Sequence, residues 1–196
     1  MKFLIKNINH IDNTTYHNFF KKLSTSEQKR INNKINETEK KKSLLGLILL
    51  EQLLKTNISN IKIKRSKNNK PYIENSNVYF SISHKKDYVI TIISHKRIGV
   101  DLEYINKEKI NNHMLKYFAT TKEQQKIINS NNKEQLYFTI FSLKESYLKM
   151  KDILFNKNII EFEINNDKII NFRNDITIKT ITYNKKYIIT ICEENV

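Results

Sequence analysis

The feature that most constrains the fold of this chain is an internal echo. The run Lys86-Asp87-Tyr88-Val89-Ile90-Thr91-Ile92 returns as Lys185-Lys186-Tyr187-Ile188-Ile189-Thr190-Ile191, a displacement of 99 residues. At the same displacement Ser43-Leu44 meets Ser142-Leu143, and the β-branched run at Ile61 meets that at Ile160. At 95 to 96 residues, Leu23-Ser24-Thr25-Ser26-Glu27-Gln28 finds a counterpart in Phe118-Ala119-Thr120-Thr121-Lys122-Glu123-Gln124. A consistent register across 196 residues predicts two similar halves, 1–98 and 99–196, with any shared site in the cleft between them.

Each half reads as helices followed by strands. Residues 2–8 alternate loosely as a strand. Ser24 to Lys55 reads as helix, with Ser or Thr at 24–26 to cap it, Leu44, Leu45, Ile48, Leu49 and Leu53 at helical spacing, and one break in its Asn-rich middle. Short β-branched runs at Ile61–Lys64, Val78–Ser83, Tyr88–Ser94 and Ile98–Glu103 predict strands that pair into a sheet. In the second half, polar helical stretches fall at 106–117 and 122–130. A stronger helix spans Glu134–Met150, with Leu136, Ile140, Leu143, Tyr147 and Met150 on one face, and strand-like runs follow at 159–164, 168–172, 175–183 and 186–193. Helices first and strands after, twice over, is an α+β pattern and not the βαβ alternation of a doubly wound sheet.

Composition narrows the function. With 39% hydrophobic residues the chain can bury a core, so its charge is not a sign of disorder. The longest apolar run, Leu44–Leu50, is far shorter than the roughly 20 residues that cross a bilayer. The N-terminal Met1-Lys2-Phe3-Leu4-Ile5-Lys6 has no signal-peptide pattern, and the single Cys192 excludes internal disulfides and a cysteine-rich zinc site, so the cytoplasm is expected. A net charge of +15 raises the alternative of a basic, non-enzymatic nucleic-acid-binding protein. Against it, the excess is almost all Lys, arriving with Asn and Ile as AT-rich codons would supply them. Arg, which grips phosphate in a fork, stands only at 30, 65, 97 and 173.

Gly and Pro are rare, which makes their settings informative: Gly99 precedes Val100-Asp101-Leu102-Glu103, and Pro71 sits in Asn69-Lys70-Pro71-Tyr72. In a strand, Asp101 and Glu103 project to one side and Val100 and Leu102 to the other. Two carboxylates so placed suit a hard divalent ion, Mg²⁺ or Mn²⁺, though a solvated strand end gives the same pattern. On the apolar helix Phe141–Lys149, Glu145 and Lys149 share a face, as a third oxygen ligand and a cation beside the bound anion, or as an ordinary surface pair. His84, ending Ser81-Ile82-Ser83-His84 and followed by Lys85-Lys86, suits either a phosphate or an exposed turn. His10, His17, His95 and His113 have no such setting.

Taken in order, Ser-x-Ser-His, Ile98-Gly99-Val100-Asp101-Leu102-Glu103 and Phe-x-x-Lys-Glu-Ser-x-x-Lys resemble the signature motifs of the surfactin-type (Sfp-like) 4′-phosphopantetheinyl transferases. The resemblance also takes in Lys42-Ser43-Leu44-Leu45-Gly46 and Lys70-Pro71, and so covers about residues 23 to 150. It implies two similar α+β halves in one chain related by a pseudo-twofold axis, coenzyme A elements in the first and metal-binding and catalytic elements in the second. The implied reaction moves the phosphopantetheine arm of coenzyme A to a serine of an acyl or peptidyl carrier protein and releases adenosine 3′,5′-bisphosphate. By the same resemblance Asp101, Glu103 and Glu145 hold Mg²⁺, Glu145 is the base for the serine, and Lys149 stabilises phosphate charge. Lys42 and His84 bind phosphates of coenzyme A, Lys70 and Pro71 line the nucleotide pocket, and Ser83 fixes the loop there. One of Lys29, Arg30 and Lys34 reaches the 3′-phosphate.

The chain departs from the family pattern twice. Asn69 replaces the usual Gly before Lys-Pro, a residue that tolerates positive φ. Lys42 replaces the usual Arg, keeping the charge without the fork. Carrier proteins are typically acidic, so a Lys-rich face would steer their docking. Two fused halves favour a monomer over the trimeric holo-acyl-carrier-protein synthase type.

Overall fold

The computed structural model describes residues 1–156, 160–165, 167–170 and 174–195. The chain divides into two compact units, Met1–His95 and Lys96–Val196.

The first unit opens with strand β1 (Lys2–Asn7), continues through helices α1 (Asn13–Lys22), α2 (Thr25–Asn32) and α3 (Glu37–Leu54), and closes with β2 (Ile63–Arg65), β3 (Pro71–Ile73), β4 (Tyr79–Lys85) and β5 (Tyr88–Ser94). The helix starts are set by polar side chains that accept otherwise orphaned backbone N–H groups: Asp12 takes that of Thr15, Ser24 that of Glu27 and Asn36 that of Glu39. β5 is the middle strand of an antiparallel sheet, β1-β5-β4, while β2 and β3 form a separate hairpin. Leu44, Leu47 and Leu50 of α3 pack with Phe80 of β4, and Leu45 and Leu49 with Val89 of β5. Thr91 of β5 donates to the Gly46 carbonyl (3.0 Å), which draws the helix onto the sheet.

The second unit repeats this plan: β6 (Ile98–Tyr104), α4 (Asn112–Phe118), α5 (Thr121–Ile128), α6 (Lys133–Lys151), β7 (Glu163–Asn165), β8 (Lys168–Ile170), β9 (Ile176–Tyr183) and β10 (Tyr187–Glu194). The sheet is β6-β10-β9, antiparallel with β10 central, and β7 and β8 form the hairpin. Among the described residues, each unit is thus an opening strand, three α-helices, a hairpin and two closing strands. The echoed Tyr88 and Tyr187 are the first residues of β5 and β10, the central strands.

The α+β class read from the pattern is the observed one, but the connectivity differs from the sequence expectation. Each unit begins with a strand, because β1 and β6 supply the edge that β5 and β10 need. The four strand-like runs of the first half do not share a sheet. β6 pairs with β10, and the run near Ile61 becomes β2 in the hairpin. Helix α1 and strand β3 were absent from the sequence reading: α1 is rich in Asn and Thr, weak helix formers, and only three of its ten residues are large and apolar. Lys96, Arg97 and Ile98 group with the second unit, since the Arg97 carbonyl accepts from the Glu194 N–H (2.9 Å) and Ile98 opens β6. Of the runs expected at 159–164 and 168–172, residues 159, 171 and 172 lie outside the described residues.

Both glycines sit where a helix meets a sheet. A Cβ on Gly46 would stand 2.8 Å from Cγ2 of Ile82, a side chain that can turn away. Overpacking costs about 1–3 kcal/mol and the helix gains about 1 kcal/mol from Ala over Gly. Gly46→Ala is therefore expected to destabilise by about 1 kcal/mol, a fall in Tm of about 2–4 °C by calorimetry.

Candidate functional site

In the second unit the residues singled out by the sequence converge on the contact between β6 and α6. β6 is buried along nearly its whole length, and its Gly99, Asp101 and Glu103 side turns toward α6. Asp101 and Glu103 are only 4% and 6% exposed, which excludes the solvated strand end. Asp101 accepts from Lys149 Nζ at Oδ1 (2.6 Å) and from Ser142 Oγ at Oδ2 (2.9 Å), and Ser142 is within 2.8 Å of Thr190 Oγ1 on β10. Ser142, Glu145, Ser146 and Lys149 form one stripe of α6 at helical spacing, so Glu145, half-buried, shares the face that meets β6. The absent side chain of Gly99 is what lets this stripe approach: a Cβ there would fall on the Ser146 carbonyl and 2.5 Å from the Met150 nitrogen.

The donor set fits a hard divalent cation in kind, being three carboxylates with no thiol or imidazole. As the side chains stand, no three His, Cys, Asp or Glu among the described residues are gathered closely enough to hold a metal. Asp101 is engaged by Lys149 instead. Lys149 is 31% exposed at its side chain, so it can exchange this partner for an anion without stranding its charge in an apolar interior.

Next to this stripe lies an ion pair that the sequence did not disclose as one. Lys144 is fully buried and donates to Glu123 (2.6 Å), itself 1% exposed. Glu123 also accepts from the N–H groups of Thr120 (2.8 Å) and Phe162 (2.9 Å). A buried charge of this kind is tolerated only when paired and hydrogen-bonded. The pair ties α5, α6 and the 160–162 segment together and so fixes the rotation of α6. The Thr-x-x-Glu spacing at 120–123, a capping box, was the readable signal. Cys192 is buried against α6, its thiol within 3.2 Å of Ser146 Oγ, and burial pushes its pKa up to about 12, which makes it a packing residue.

In the first unit, Lys42 and His84 meet on one carboxylate. Lys42 donates to Glu39 Oε1 (2.8 Å), and His84 Nε2 stands 3.9 Å from Glu39 Oε2. The hydrogen bond from Lys42, helped by the charges of Lys42, His84 and Lys34, holds the Glu39 carboxyl below its ordinary range. Glu39 was not among the sequence candidates; its place three residues before Lys42 on α3 is the signal. Ser83 is buried inside β4, in the strand expected at Val78–Ser83, which runs on through His84 to Lys85.

The Lys70–Pro71 element caps the β2–β3 hairpin. Ser66 accepts at its carbonyl from the Asn69 N–H (2.9 Å) and donates its N–H to the Lys70 carbonyl (2.9 Å), and Asn69 adopts φ 67°, the left-handed conformation that Gly would take most cheaply. Of the three candidates on α2 and just beyond it, Arg30 and Lys34 line a cavity of about 460 Å³ with Lys64, Arg65 and Asn69, whereas Lys29 is exposed outside it.

Comparison with known proteins follows this division. Residues 97–192 match the family described as the 4′-phosphopantetheinyl transferase superfamily, and residues 12–96 match the 4′-phosphopantetheinyl transferase N-terminal family. The chain is 26% identical over 154 residues to the 4′-phosphopantetheinyl transferase gsp of Aneurinibacillus migulanus, a match covering 74% of this chain and 62% of the relative. The chain thus spans about three fifths of that relative's length. No helix among the described residues is long and apolar enough to cross a membrane. Two family matches meeting at the boundary between the units, with the Asp101, Glu103, Glu145 and Lys149 motifs falling within the second, establish that the chain belongs to the 4′-phosphopantetheinyl transferase superfamily.

Proposed function

We propose that this protein transfers the 4′-phosphopantetheine arm of coenzyme A to a serine of an acyl or peptidyl carrier protein, acting as a monomer. The observation that carries the reading is the pair of buried carboxylates, Asp101 and Glu103, turned toward the α6 stripe that bears Glu145 and Lys149. A protein does not bury two acids on one strand face cheaply, and a cation-dependent phosphoryl chemistry gives them a use. Asp101, Glu103 and Glu145 would hold Mg²⁺ or Mn²⁺, which when bound neutralises the pyrophosphate oxygens and aligns the attack. Glu145 takes the serine proton. The serine oxygen bonds to the phosphorus next to the pantetheine arm, the bond from that phosphorus to the bridging oxygen breaks, and adenosine 3′,5′-bisphosphate leaves with the electron pair. Lys149 gives up Asp101 for the departing phosphate oxygens. In the first unit, Lys42 and His84 take phosphates of coenzyme A, with Ser83 supporting His84, while Lys70 and Pro71 line the nucleotide pocket.

Intact-protein mass spectrometry of an apo carrier protein incubated with this protein, coenzyme A and Mg²⁺ tests the reading. One added phosphopantetheine mass, lost when the metal is removed, is the expected result. No gain with several carrier proteins, together with no coenzyme A binding by calorimetry, overturns it.

The +15 charge is proposed to steer an acidic carrier protein toward the enzyme. Raising the salt from low to physiological strength is then expected to lower kcat/KM for the carrier roughly tenfold, with little change in kcat. A salt-independent rate would remove steering from the account.

A further inference from the structure

The cavity on the first unit is built around one acid. Glu27 of α2 is 5% exposed, and both its oxygens are used: Oε2 accepts from Arg30 Nε (2.8 Å), and Oε1 from Arg65 Nη2 (3.3 Å). Arg65, the last residue of β2, also donates through Nη1 to the Asn69 carbonyl (3.1 Å). One guanidinium therefore clamps the left-handed corner of the hairpin, immediately before Lys70–Pro71, to a buried carboxylate on α2. The same carboxylate holds the α2 arginine.

The arrangement is expensive. Burial disfavours the charge on Arg65, and its Nε–H is buried with no hydrogen-bond partner. A hairpin of three-residue strands needs no such clamp to close, because Ser66 already accepts from the N–H groups of Asn68 and Lys70 at its hydroxyl (both 3.2 Å). Lys64, on the cavity's rim, is paired with Glu74, but Arg30, Lys34 and Arg65 share the one acid that lines the cavity, Glu27, an excess of positive charge that suits a phosphorylated ligand.

We infer that Glu27 and Arg65 are positioning residues for coenzyme A: they lock the Lys70–Pro71 turn and Arg30 into one preorganised wall for the nucleotide end of the substrate. The inference rests on the proposed function. Neither residue takes part in the chemistry, so their loss acts on substrate affinity and spares the catalytic step.

Steady-state kinetics of Arg65→Met, Arg65→Lys and Glu27→Gln, varying coenzyme A and carrier protein separately, tests this. Arg65→Met and Glu27→Gln are expected to raise KM for coenzyme A about tenfold, with kcat and KM for the carrier within twofold of the parent. Arg65→Lys should recover part of the loss, since one ammonium can serve Glu27 or Asn69 but not fork to both. The double variant Glu27→Gln, Arg65→Met should be no worse than the poorer single one. If Arg65→Met does not fold, Arg65→Lys and Glu27→Gln carry the test alone. An unchanged KM for coenzyme A in the folded variants, or a fall in kcat at unchanged KM, overturns the inference while leaving the proposed function standing. A parent protein that neither transfers phosphopantetheine nor binds coenzyme A overturns both.

Discussion

Asp101→Asn is expected to lower phosphopantetheine transfer on the order of a thousandfold while leaving the fold intact. The substitution is nearly isosteric, and the amide can still accept from Ser142, so the β6 to α6 contact keeps its hydrogen bond. Its charge is what disappears. Lys149 then turns to solvent, which its 31% exposure permits at small cost. A divalent ion contributes several kcal/mol to the transition state, and each ~1.4 kcal/mol is tenfold in rate, which sets the scale of the loss. Intact-mass kinetics on the carrier protein, beside a thermal melt of the same variant, read both halves of the expectation. Retention of more than about a tenth of the activity would show that Asp101 is a structural partner of Lys149 and Ser142 and no ligand.

Gly99→Ala should cost far more stability than the same methyl added at Gly46. At Gly46 the obstructing atom is the end of a side chain; at Gly99 it is the backbone of α6, with the Ser146 carbonyl under the new Cβ and the Met150 nitrogen 2.5 Å from it. Backbone cannot rotate away. Either the helix lifts from the strand or the strand bends, and in both cases Leu143, Tyr147 and Met150 lose packing with Cys192 and Ile176. A loss above about 4 kcal/mol is expected, at the exceptional end for a point substitution. For a chain of this length that lowers Tm by roughly 8–16 °C, measured by calorimetry. Because the same displacement separates Glu145 and Lys149 from Asp101 and Glu103, whatever fraction remains folded should also be inactive. A melt within 2 °C of the parent would mean that α6 does not sit on β6 as described.

Much of this was legible in the amino acids. The echo between Tyr88 and Tyr187 found the two central strands, and helical periodicity found α3 and α6, because long apolar repeats are read from sequence with little interference from neighbours. The alternation of Val100 and Leu102 with Asp101 and Glu103 gave the two faces of β6. The motif order marked the candidate site residues, and Asn69 could be foreseen in a left-handed turn from its type alone.

Pairing and burial were another matter. Which strand lies beside β6 depends on residues 187–193, far along the chain, and no local preference in Ile98–Glu103 names that partner. Whether Asp101 and Glu103 are solvated or buried follows from what covers the strand, and α6 covers it only because Gly99 leaves the room. Glu123 and Lys144 are two ordinary surface types until tertiary packing removes water from both and obliges them to pair. Glu39 between Lys42 and His84, and Glu27 between Arg30 and Arg65, are decided the same way: sequence sets the charges on each element, and the fold decides which opposite charges meet. Local interactions over a few residues are written in the chain directly. Contacts across tens of residues exist only once the backbone has closed those loops.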